Sequence, residues 1–276
     1  MAGVPIRIAA ADDPRIAAFR AIRERDLVGR EGRFVAEGTV VLRMLAASHA
    51  VGGRFRAEAV LILENRLAGV AEILERLPAS VPVHVADRDV FNAIAGFDMH
   101  RGVMAIGRRE AVPTALGLIA SLPSDSLVLA ACGISNHDNM GSLFRNAAAF
   151  GVDAVLLDET CCDPLYRKAI RVSVGAVLSV PFARGGRAQD LLEGLAGAGF
   201  AIWALSPRGE TAIGGIVPSA RLALVAGTEG EGLPAAILSR FHTARIPQKP
   251  GLDSLNVATA SGVALYQMAL AKGRIG

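Results

Sequence analysis

The sequence lacks an apolar run long enough to cross a membrane. A membrane-spanning helix needs about 20 consecutive apolar residues, and the apolar stretches of this chain are far shorter. Its first residues, MAGVPIRIAAADDPR, contain no charged region followed by a long apolar core, so they do not predict a secretion signal. Much of the apolar excess behind the mean hydropathy of +0.40 is alanine. We therefore expect a cytoplasmic protein with no membrane partner.

Cysteine and metal-ligand patterns are also scarce. The three cysteines are Cys132, Cys161 and Cys162, with no C-x-x-C pair and no histidine at zinc-ligand spacing. The five histidines are scattered singly. These absences predict reduced thiols that pack in the protein and argue against a metal site.

Lysine is nearly missing, since the 29 basic residues comprise 3 lysines and 26 arginines. The net charge of +3 and the pI near 9.0 are mildly basic, which is weak evidence for a nucleic-acid partner. One segment concentrates Arg15, Arg20, Arg23, Arg25, Arg30 and Arg33, and a predicted loop carries Arg54 and Arg56. Two interpretations of the N-terminal cluster stay open: a surface that faces RNA, or a solvated helix face.

The first part of the chain alternates helix and strand patterns. Predicted strands are RFVAEG, AEAVLIL, VPVHVA and RGVMAIGRR, and predicted helices lie near 14–25 and in TVVLRMLAAS, NRLAGVAEILERL and DRDVFNAIAG. These patterns predict a small α/β domain over residues 1–108. The stretch 109–126, which contains prolines, Gly117 and a short apolar helical piece, is a plausible linker.

The α/β rhythm resumes in residues 127–276. Strands are predicted near 127–132, 153–157, 200–205, 221–226 and 242–246, separated by helices or long loops. Alternation of this kind predicts a mostly parallel sheet with helices on both faces. Ligands of such sheets gather outside the carboxyl ends of the strands, so the loops there are the candidates for function.

The first of these loops lacks the G-x-G-x-x-G pattern of a nucleotide-binding turn. Its sequence, SNHDNMGSLFRNAAAFG, predicts a helix over 140–150 with Asn139 as the N-cap. Arg145 points away from the centre of the apolar arc. Helical side chains lean toward the N-terminus, so Gly141 would leave room beneath the guanidinium. Alternatively, Asn139 only caps the helix and has no functional role.

The second loop, in LALVAGTEGEGLP, interleaves Gly227, Gly230 and Gly232 with two glutamates, Glu229 and Glu231. A glycine-rich turn after a buried strand can cradle a ligand against bare backbone. Two carboxylates would repel a phosphate, so the turn suits a neutral or cationic ligand. The alternative is a tight turn in which the glutamates cap the next helix.

The third loop follows a strand that ends at Ile246 and Pro247, and the letters SLN then open a helix rich in small residues. So many small residues imply close packing against another backbone or a second subunit. Ser254 or Asn256 can cap that helix. Leu255, an apolar residue within a polar loop, is suited to cover a flat ring.

Taken together, the three loops resemble the SpoU (TrmH) family of the SPOUT superfamily, RNA methyltransferases that use S-adenosylmethionine. The resemblance covers residues 127–270. The matching residues of the first motif are Asn139, Gly141, Arg145 and Ala147; those of the second are Gly227, Glu229, Gly232 and Leu233; those of the third are Ile246, Pro247, Ser254, Leu255, Asn256 and Val257. Asn136 departs from the acidic residue that many family members carry.

The resemblance implies a trefoil knot, a homodimer with active sites at its interface, and a preceding substrate-binding domain. It implies that the cofactor S-adenosylmethionine is bound by Gly227, Thr228, Gly232, Ile246, Pro247 and Leu255. It implies that the catalytic residues are Arg145, Asn139, Glu229, Ser254 and Asn256. The implied reaction is methyl transfer to a ribose 2'-hydroxyl, with ribosomal RNA favoured over tRNA as the partner.

The role of Arg145 has two interpretations. Family proposals make this arginine the base that accepts the hydroxyl proton, although a guanidinium keeps its own proton at neutral pH. Alternatively, it orients the substrate and favours the developing alkoxide. Methylation of a base nitrogen and a non-catalytic RNA-binding protein are the alternative functions.

Overall fold

A computed structural model of the protein describes residues 4–20, 28–29, 31–95, 101–110, 112–228, 230–251 and 253–276. The chain separates into two compact units. The first contains Met1–Val112 and Leu165–Ser179, and the second contains Pro113–Pro164 and Val180–Gly276. The domain boundaries predicted from the sequence do not anticipate that Leu165–Ser179 packs with the first unit.

Twelve strands and nine α-helices are found in the described residues. The strands are β1 (Ile6–Ile8), β2 (Arg33–Glu37), β3 (Phe55–Leu63), β4 (Val83–Ala86), β5 (Val103–Arg109), β6 (Ser126–Ala131), β7 (Ala154–Leu157), β8 (Phe182–Arg184), β9 (Ala201–Leu205), β10 (Thr211–Ala212), β11 (Arg221–Ala226) and β12 (His242–Arg245). The helices are α1 (Thr39–Ala50), α2 (Ala71–Leu74), α3 (Arg88–Ala95), α4 (Ala115–Ser121), α5 (His137–Ala149), α6 (Arg167–Val172), α7 (Ala188–Gly197), α8 (Ala235–Leu238) and α9 (Val257–Ala271). The predicted α/β class is confirmed.

The first unit is built on a mixed sheet in the order β1-β4-β3-β5-β2. Strands β1, β4 and β3 run parallel, whereas β5 pairs antiparallel with β3 and β2. Leu61, Met104 and Ile106 of this sheet pack with Phe91 of α3 in a buried core. The alternation of strands and helices predicted for this part of the chain is therefore confirmed.

Two predicted helices of the first unit differ from the structure. In place of the helix near 14–25 there is a 3-10 helix at Pro14–Phe19, and residues 21–27 lie outside the described part of the chain. The single helix predicted in NRLAGVAEILERL is wrong: two 3-10 turns, Glu64–Arg66 and Ala68–Val70, precede the short α2. Val70 has φ −121° and ψ 5°, which departs from helical geometry and interrupts the hydrogen-bonded ladder.

Two described members of the N-terminal arginine cluster pair with carboxylates. Arg15 bonds Asp13, and Arg33 pairs with both Glu31 and Glu58. Arg56 lies in β3, not on a loop, and approaches Glu110 at 3.6 Å. For Arg15 and Arg33 these ion pairs favour a solvated face over a surface that faces RNA, although Arg33 lies in β2 and not on a helix. Three members, Arg23, Arg25 and Arg30, lie outside the described residues.

A partly buried ion pair joins Leu165–Ser179 to the sheet of the first unit. The Arg167 Nε donates to the Glu37 carboxylate at 2.9 Å, and the Glu37 side chain is only 6% exposed. Gly175 has φ +83° and lies beside α1, where an added Cβ would be 3.0 Å from Met44 Cγ. A larger residue at position 175 would be strained at this φ, and the Met44 side chain would have to shift.

The second unit contains an all-parallel sheet in the order β10-β12-β9-β11-β6-β7-β8. The apolar runs LVLAA of β6 and LALVA of β11 are buried throughout, as expected for central parallel strands covered on both faces. The five strands predicted in this half are present, and their first and last residues agree with the predicted ones to within one or two positions. The prediction of a mostly parallel sheet is confirmed.

Parallel strands bring their carboxyl ends to one edge of the sheet. The loops after β6, β9, β11 and β12 therefore start from the same edge, and three of them are the loops singled out in the sequence. The trefoil knot implied by the resemblance stays a prediction.

Candidate active site

Helix α5 begins three residues earlier than predicted. The Asn136 side chain accepts hydrogen bonds from the backbone N–H groups of Asp138 at 2.7 Å and Asn139 at 3.4 Å. Asn136 is therefore the N-cap, and the prediction that Asn139 caps the helix is wrong. The stretch Asn-His-Asp-Asn offers several cap-forming side chains in succession, so the pattern alone could not select among them.

Asn139 instead makes a bond to the third loop. Its side chain is 8% exposed, and its Oδ1 accepts a hydrogen bond from Asn256 Nδ2 at 3.0 Å. The Asn256 Oδ1 caps α9 by accepting from the N–H groups of Ala258 at 2.9 Å and Thr259 at 3.2 Å. The first and third motifs are therefore joined directly, and the predicted capping role of Asn256 is confirmed.

Helices α5 and α9 pack closely along their length. Asn146 Nδ2 donates to the Ala258 carbonyl at 2.8 Å, and a Cβ on Gly262 would lie 2.9 Å from that same nitrogen. Farther along, the rings of Phe150 and Tyr266 meet edge to face with centroids 5.8 Å apart. Close packing against a backbone thus explains part of the small-residue pattern of α9.

Arg145 stands apart from these contacts. It lies six residues after Asn139 on α5, which places the two side chains about 120° apart around a helix of 3.6 residues per turn. The residue is exposed, and its guanidinium forms no hydrogen bond or ion pair with any residue that the structure describes. Its five N–H donors are available to a ligand.

The second loop folds back on itself after β11. Thr228 Oγ1 donates to the Gly232 carbonyl at 3.1 Å, and the Gly232 N–H donates to the Thr228 carbonyl at 3.2 Å. A Cβ on Gly227 would lie 2.6 Å from the Gly232 carbonyl carbon and from the Leu233 nitrogen. Only glycine fits at position 227 without moving backbone. Glu229 lies outside the described residues.

A cavity of about 700 Å³ lies where the loops after β9, β11 and β12 meet the start of α9. Seven of the predicted site residues line it: Gly227, Thr228, Gly232, Ile246, Ser254, Leu255 and Asn256. Pro247 is exposed and is not among the lining residues, and Arg145 and Asn139 are not among them either. This volume is typical of small-molecule sites.

The polarity of the cavity wall is uneven. Charged lining residues are exposed, and they are Arg208, Glu231 and Asp253. Two neutral polar atoms of lining residues are shielded from solvent, Gln248 Oε1 and Ser261 Oγ, and neither has a hydrogen-bond partner among the described residues. The charged side chains of the cavity wall are therefore at its exposed rim, and the remaining lining residues are neutral.

Asp158 organises the turn after β6 and was not identified from the sequence. Its carboxylate is buried and accepts from the N–H groups of Gly133 at 3.0 Å and Cys161 at 3.0 Å. Gly133, at φ +72°, lies against the second loop, where an added Cβ would be 2.2 Å from Thr228 Cγ2. Asp158 thus positions the turn on which Thr228 rests. Its place directly after a buried strand was the available signal.

The cysteines are free thiols. Burial raises the pKa of Cys132 to about 12 and that of Cys162 to about 11, and it raises the pKa of Cys161 as well. The Cys161 Sγ accepts from the Ile134 N–H and donates to the Ala131 carbonyl, both at 3.3 Å. These thiols remain protonated at neutral pH and act as packing groups.

The described part of the chain offers neither a metal site nor a membrane-spanning helix. No group of three or more His, Cys, Asp or Glu side chains there is arranged to hold a metal ion. No helix there is long and apolar enough to span a membrane.

Sequence relatives of the chain are methyltransferases. The model of the SpoU rRNA Methylase family matches residues 126–266. An uncharacterized tRNA/rRNA methyltransferase of Mycobacterium tuberculosis is 38% identical over 275 residues, which cover 96% of this chain and 92% of that protein. The 23S rRNA (guanosine-2'-O-)-methyltransferase RlmB of Haemophilus ducreyi is 30% identical over 212 residues, which cover 74% of this chain and 84% of that protein.

Solved structures share the fold. The AdoMet-bound rRNA methyltransferase from Sinorhizobium meliloti aligns with a TM-score of 0.81 and 23% identity over 99% of each chain. An RNA 2'-O ribose methyltransferase aligns with a TM-score of 0.74 and 25% identity over 98% of this chain and 100% of that one. The family match covers more than half of the chain, and a relative aligns with nearly all of it. The chain therefore belongs to the SpoU rRNA methylase family.

Proposed function

We propose that the protein is an S-adenosylmethionine-dependent RNA methyltransferase that acts on a ribose 2'-hydroxyl of ribosomal RNA. The observation that carries the proposal is the bond between Asn256 and Asn139, which links the cavity to the helix that presents Arg145. Family membership supports the same activity, because the RlmB relative is named a 23S rRNA (guanosine-2'-O-)-methyltransferase.

The donor set of the cavity fits S-adenosylmethionine. That cofactor combines a neutral adenosine with a sulfonium cation, an ammonium and a carboxylate. The interior of the cavity offers neutral groups, while the exposed rim offers the carboxylates of Glu231 and Asp253 for the cations and the guanidinium of Arg208 for the carboxylate. Thr228, Ile246 and Leu255 would hold the cofactor, with Gly227 and Gly232 shaping the loop beneath it. Pro247 would keep Ile246 in place.

Bound S-adenosylmethionine supplies an electrophilic methyl group. The protein's part is to place the ribose hydroxyl in line with it, since positioning can supply much of the acceleration of such a displacement. The unpaired guanidinium of Arg145 would bind the neighbouring phosphate and favour the developing alkoxide. Of the two interpretations offered for Arg145, its exposure and the lack of an ion pair with any described residue support this orienting role.

The other predicted catalytic residues would position the third loop, the RNA and Arg145. Asn256 and Asn139 would fix the third loop against α5 so that the cavity and Arg145 keep one geometry. Ser254, which is exposed on the cavity lining, would contact the RNA. Glu229 would orient the ribose or Arg145.

A homodimer through the second unit completes the proposal. Helix α9 leaves Val263 (41%), Tyr266 (49%) and Leu270 (45%) exposed at a spacing that forms one stripe. A second copy that covers this stripe would bring another chain close to α5 and the cavity. Replacing Leu270 with Asp should convert the dimer to a monomer in light scattering, whereas an unchanged mass would contradict this interface.

Ribosomal RNA is preferred to tRNA because the RlmB relative acts on 23S rRNA and because the chain carries a separate first unit. We expect the reaction to take place in the cytoplasm, where this RNA is made and assembled. The first unit would supply further contacts to the RNA.

The proposal is tested by mapping 2'-O-methyl groups in the RNA of cells with and without the gene. One ribosomal position should lose its methyl group in the deletion strain, regain it with the parent gene, and stay unmethylated with Arg145→Ala. Loss of a methyl group only from tRNA would refute the ribosomal substrate. Identical maps in both strains would refute the proposed activity.

A further inference from the structure

The turn that follows β6 is held by residues 158–162, the loop that follows β7. The Asp158 carboxylate accepts a hydrogen bond from the Gly133 N–H at 3.0 Å. Ile134 is held at both of its backbone groups: its N–H donates to Cys161 Sγ at 3.3 Å, and its carbonyl accepts from the Cys162 N–H at 2.8 Å. Asp158, Ile134 and Cys161 are at most 5% exposed. Because these bonds are buried, the turn can leave its position only by losing them.

The loop at 158–162 depends in turn on the Asp158 carboxylate. Besides the Gly133 N–H, this carboxylate accepts from the Cys161 N–H at 3.0 Å and from Thr160 Oγ1, which lies 2.9 Å from each of its oxygens. One side chain thus organises both the loop and the turn that the loop holds. Its removal would leave buried N–H groups without a partner.

The turn meets the second loop of the candidate site at Gly133. This glycine has φ +72°, and an added Cβ would be 2.2 Å from Thr228 Cγ2. The next nearest atoms would be Thr228 Cβ at 3.7 Å and Thr160 Oγ1 at 3.8 Å, both at ordinary contact distance. The Thr228 methyl group therefore packs against the bare backbone of Gly133, and that methyl group alone occupies the space of a side chain there.

A displacement of Thr228 would be passed on to the cavity wall. Thr228 lines the cavity, and it is tied across the second loop by two bonds to Gly232. The loop has no free space at Gly227, where an added Cβ would be 2.6 Å from backbone atoms of Gly232 and Leu233. Tightly packed groups transmit a shift instead of absorbing it.

We infer that Asp158 and Gly133 are positioning residues for the second loop, and that they set the affinity of the cavity for its cofactor through Thr228. Neither of them is among the described residues that line the cavity, so their effect requires no contact with the ligand. The inference rests on the proposed function, since it assumes that the cavity binds S-adenosylmethionine.

A double-mutant cycle between Gly133 and Thr228 tests this inference, with S-adenosylhomocysteine as the probe in calorimetry. Gly133→Ala should weaken binding about tenfold or more, because the new Cβ pushes the Thr228 methyl group and the loop aside. Thr228→Ser removes that methyl group and keeps the hydroxyl. In the Thr228→Ser background, Gly133→Ala should weaken binding by less than about twofold.

Gly199→Ala is the matched control for backbone strain. Gly199 has φ +80°, lies exposed between α7 and β9, and has nothing within 4 Å of an added Cβ. Alanine is strained at the φ of either glycine, so both substitutions should lower the Tm of the ligand-free protein. Gly199→Ala should nevertheless bind S-adenosylhomocysteine like the parent. Equal affinities of the two variants would overturn the inference.

Two substitutions at Asp158 give an independent readout. Asp158→Ala should weaken S-adenosylhomocysteine about fivefold or more, since the Gly133 N–H loses its partner. Asp158→Asn retains an oxygen that can accept from this N–H, so it should bind more tightly than Asp158→Ala. Parent-like binding by a folded Asp158→Ala would refute the role of Asp158. Should Asp158→Ala fail to fold, parent-like binding by Asp158→Asn together with the Gly133 cycle decides in its place.

The outcomes separate this inference from the proposed function. If the parent binds S-adenosylhomocysteine but Gly133→Ala has the same effect in both backgrounds, or none, the positioning role is refuted and the proposed function stands. If the parent does not bind S-adenosylhomocysteine, the cofactor assignment is refuted and this inference with it.

Discussion

Asn256 is the residue on which the candidate site most depends. One side-chain oxygen caps α9, and the amide nitrogen of the same side chain holds Asn139 of α5. The cap is worth about 0.5–2 kcal/mol in typical helices. The bond to Asn139 adds less to stability because Asn256 is exposed, but it fixes the third loop relative to α5.

Two substitutions at Asn256 separate these roles. Serine can still cap a helix but is too short to reach Asn139, whereas alanine can do neither. We expect both variants to lower the free energy of unfolding, because both leave the buried Asn139 Oδ1 without its partner. Asn256→Ala should lower it by about 1 kcal/mol more than Asn256→Ser, because alanine also removes the cap, as measured by urea titration. Both variants should lose methyl transfer by tenfold or more, in keeping with a 1.4 kcal/mol loss of positioning. Full activity of Asn256→Ser would show that the bond to Asn139 has no part in catalysis.

At the residue scale, short-range patterns predicted the site only in part. The second and third loops could be identified because their glycines and the SLN sequence are short patterns that do not depend on the rest of the fold. Gly227, Ile246 and Leu255 of these loops line the cavity. Asp158 was missed because its significance depends on partners that only the fold determines.

Helices α5 and α9 follow the first and third loops of the candidate site, so their packing fixes where these two loops lie. Gly262 of α9 meets Asn146 of α5 at a distance that leaves no space for a side chain. Gly197, at the end of α7, has nothing within 4 Å of an added Cβ. The two glycines are thus a matched pair in which only one is at a packed interface.

Introducing leucine at each glycine tests this packing. Gly262→Leu should lower the free energy of unfolding by about 1–3 kcal/mol, the usual cost of overpacking. Gly197→Leu should be neutral or stabilising, since leucine forms helices better than glycine by several tenths of a kcal/mol. Equal effects of the two substitutions in urea titrations would contradict the close approach of α5 and α9.

Strands were predicted better than helices at the element scale. The buried runs of β6 and β11 are unambiguous because a parallel strand covered on both faces is apolar at every position. The helix predicted in NRLAGVAEILERL failed because its apolar spacing is compatible with successive 3-10 turns. The start of α5 was misplaced because four consecutive residues could cap it.

For the whole molecule, buried thiols predict how stability varies with pH. Burial raises the pKa of Cys132 from its ordinary value of 9.0 to about 12. A folded-state pKa above the unfolded value gives stability that is complete below pH 9 and is lost as pH rises toward 12, because the unfolded chain releases its proton first.

The free energy of unfolding should therefore fall above pH 9 by up to about 1.4 kcal/mol per pH unit for this thiol. Cys132→Ala should show a shallower decline between pH 9 and 10.5 in urea titrations under reducing conditions. Parallel curves for the parent and the variant would contradict the proposed burial effect.

The two-unit organisation was predictable only in outline. Linker-like composition near residue 113 agrees with a division there, but nothing local in Leu165–Ser179 reveals that it packs with the first unit. Its ion pair joins Arg167 to Glu37, 130 residues earlier in the chain. Such long-range contacts depend on the complete fold.

The most direct test of the account is the position of a transferred methyl group. Ribosomal RNA is incubated with the protein and methyl-labelled S-adenosylmethionine, digested to nucleosides and analysed by mass spectrometry. We predict label on ribose with the parent and a loss of about 100-fold or more with Arg145→Ala, while that variant binds S-adenosylhomocysteine like the parent in calorimetry. Label on a base, no label with the parent, or near-parent labelling with Arg145→Ala would contradict the account.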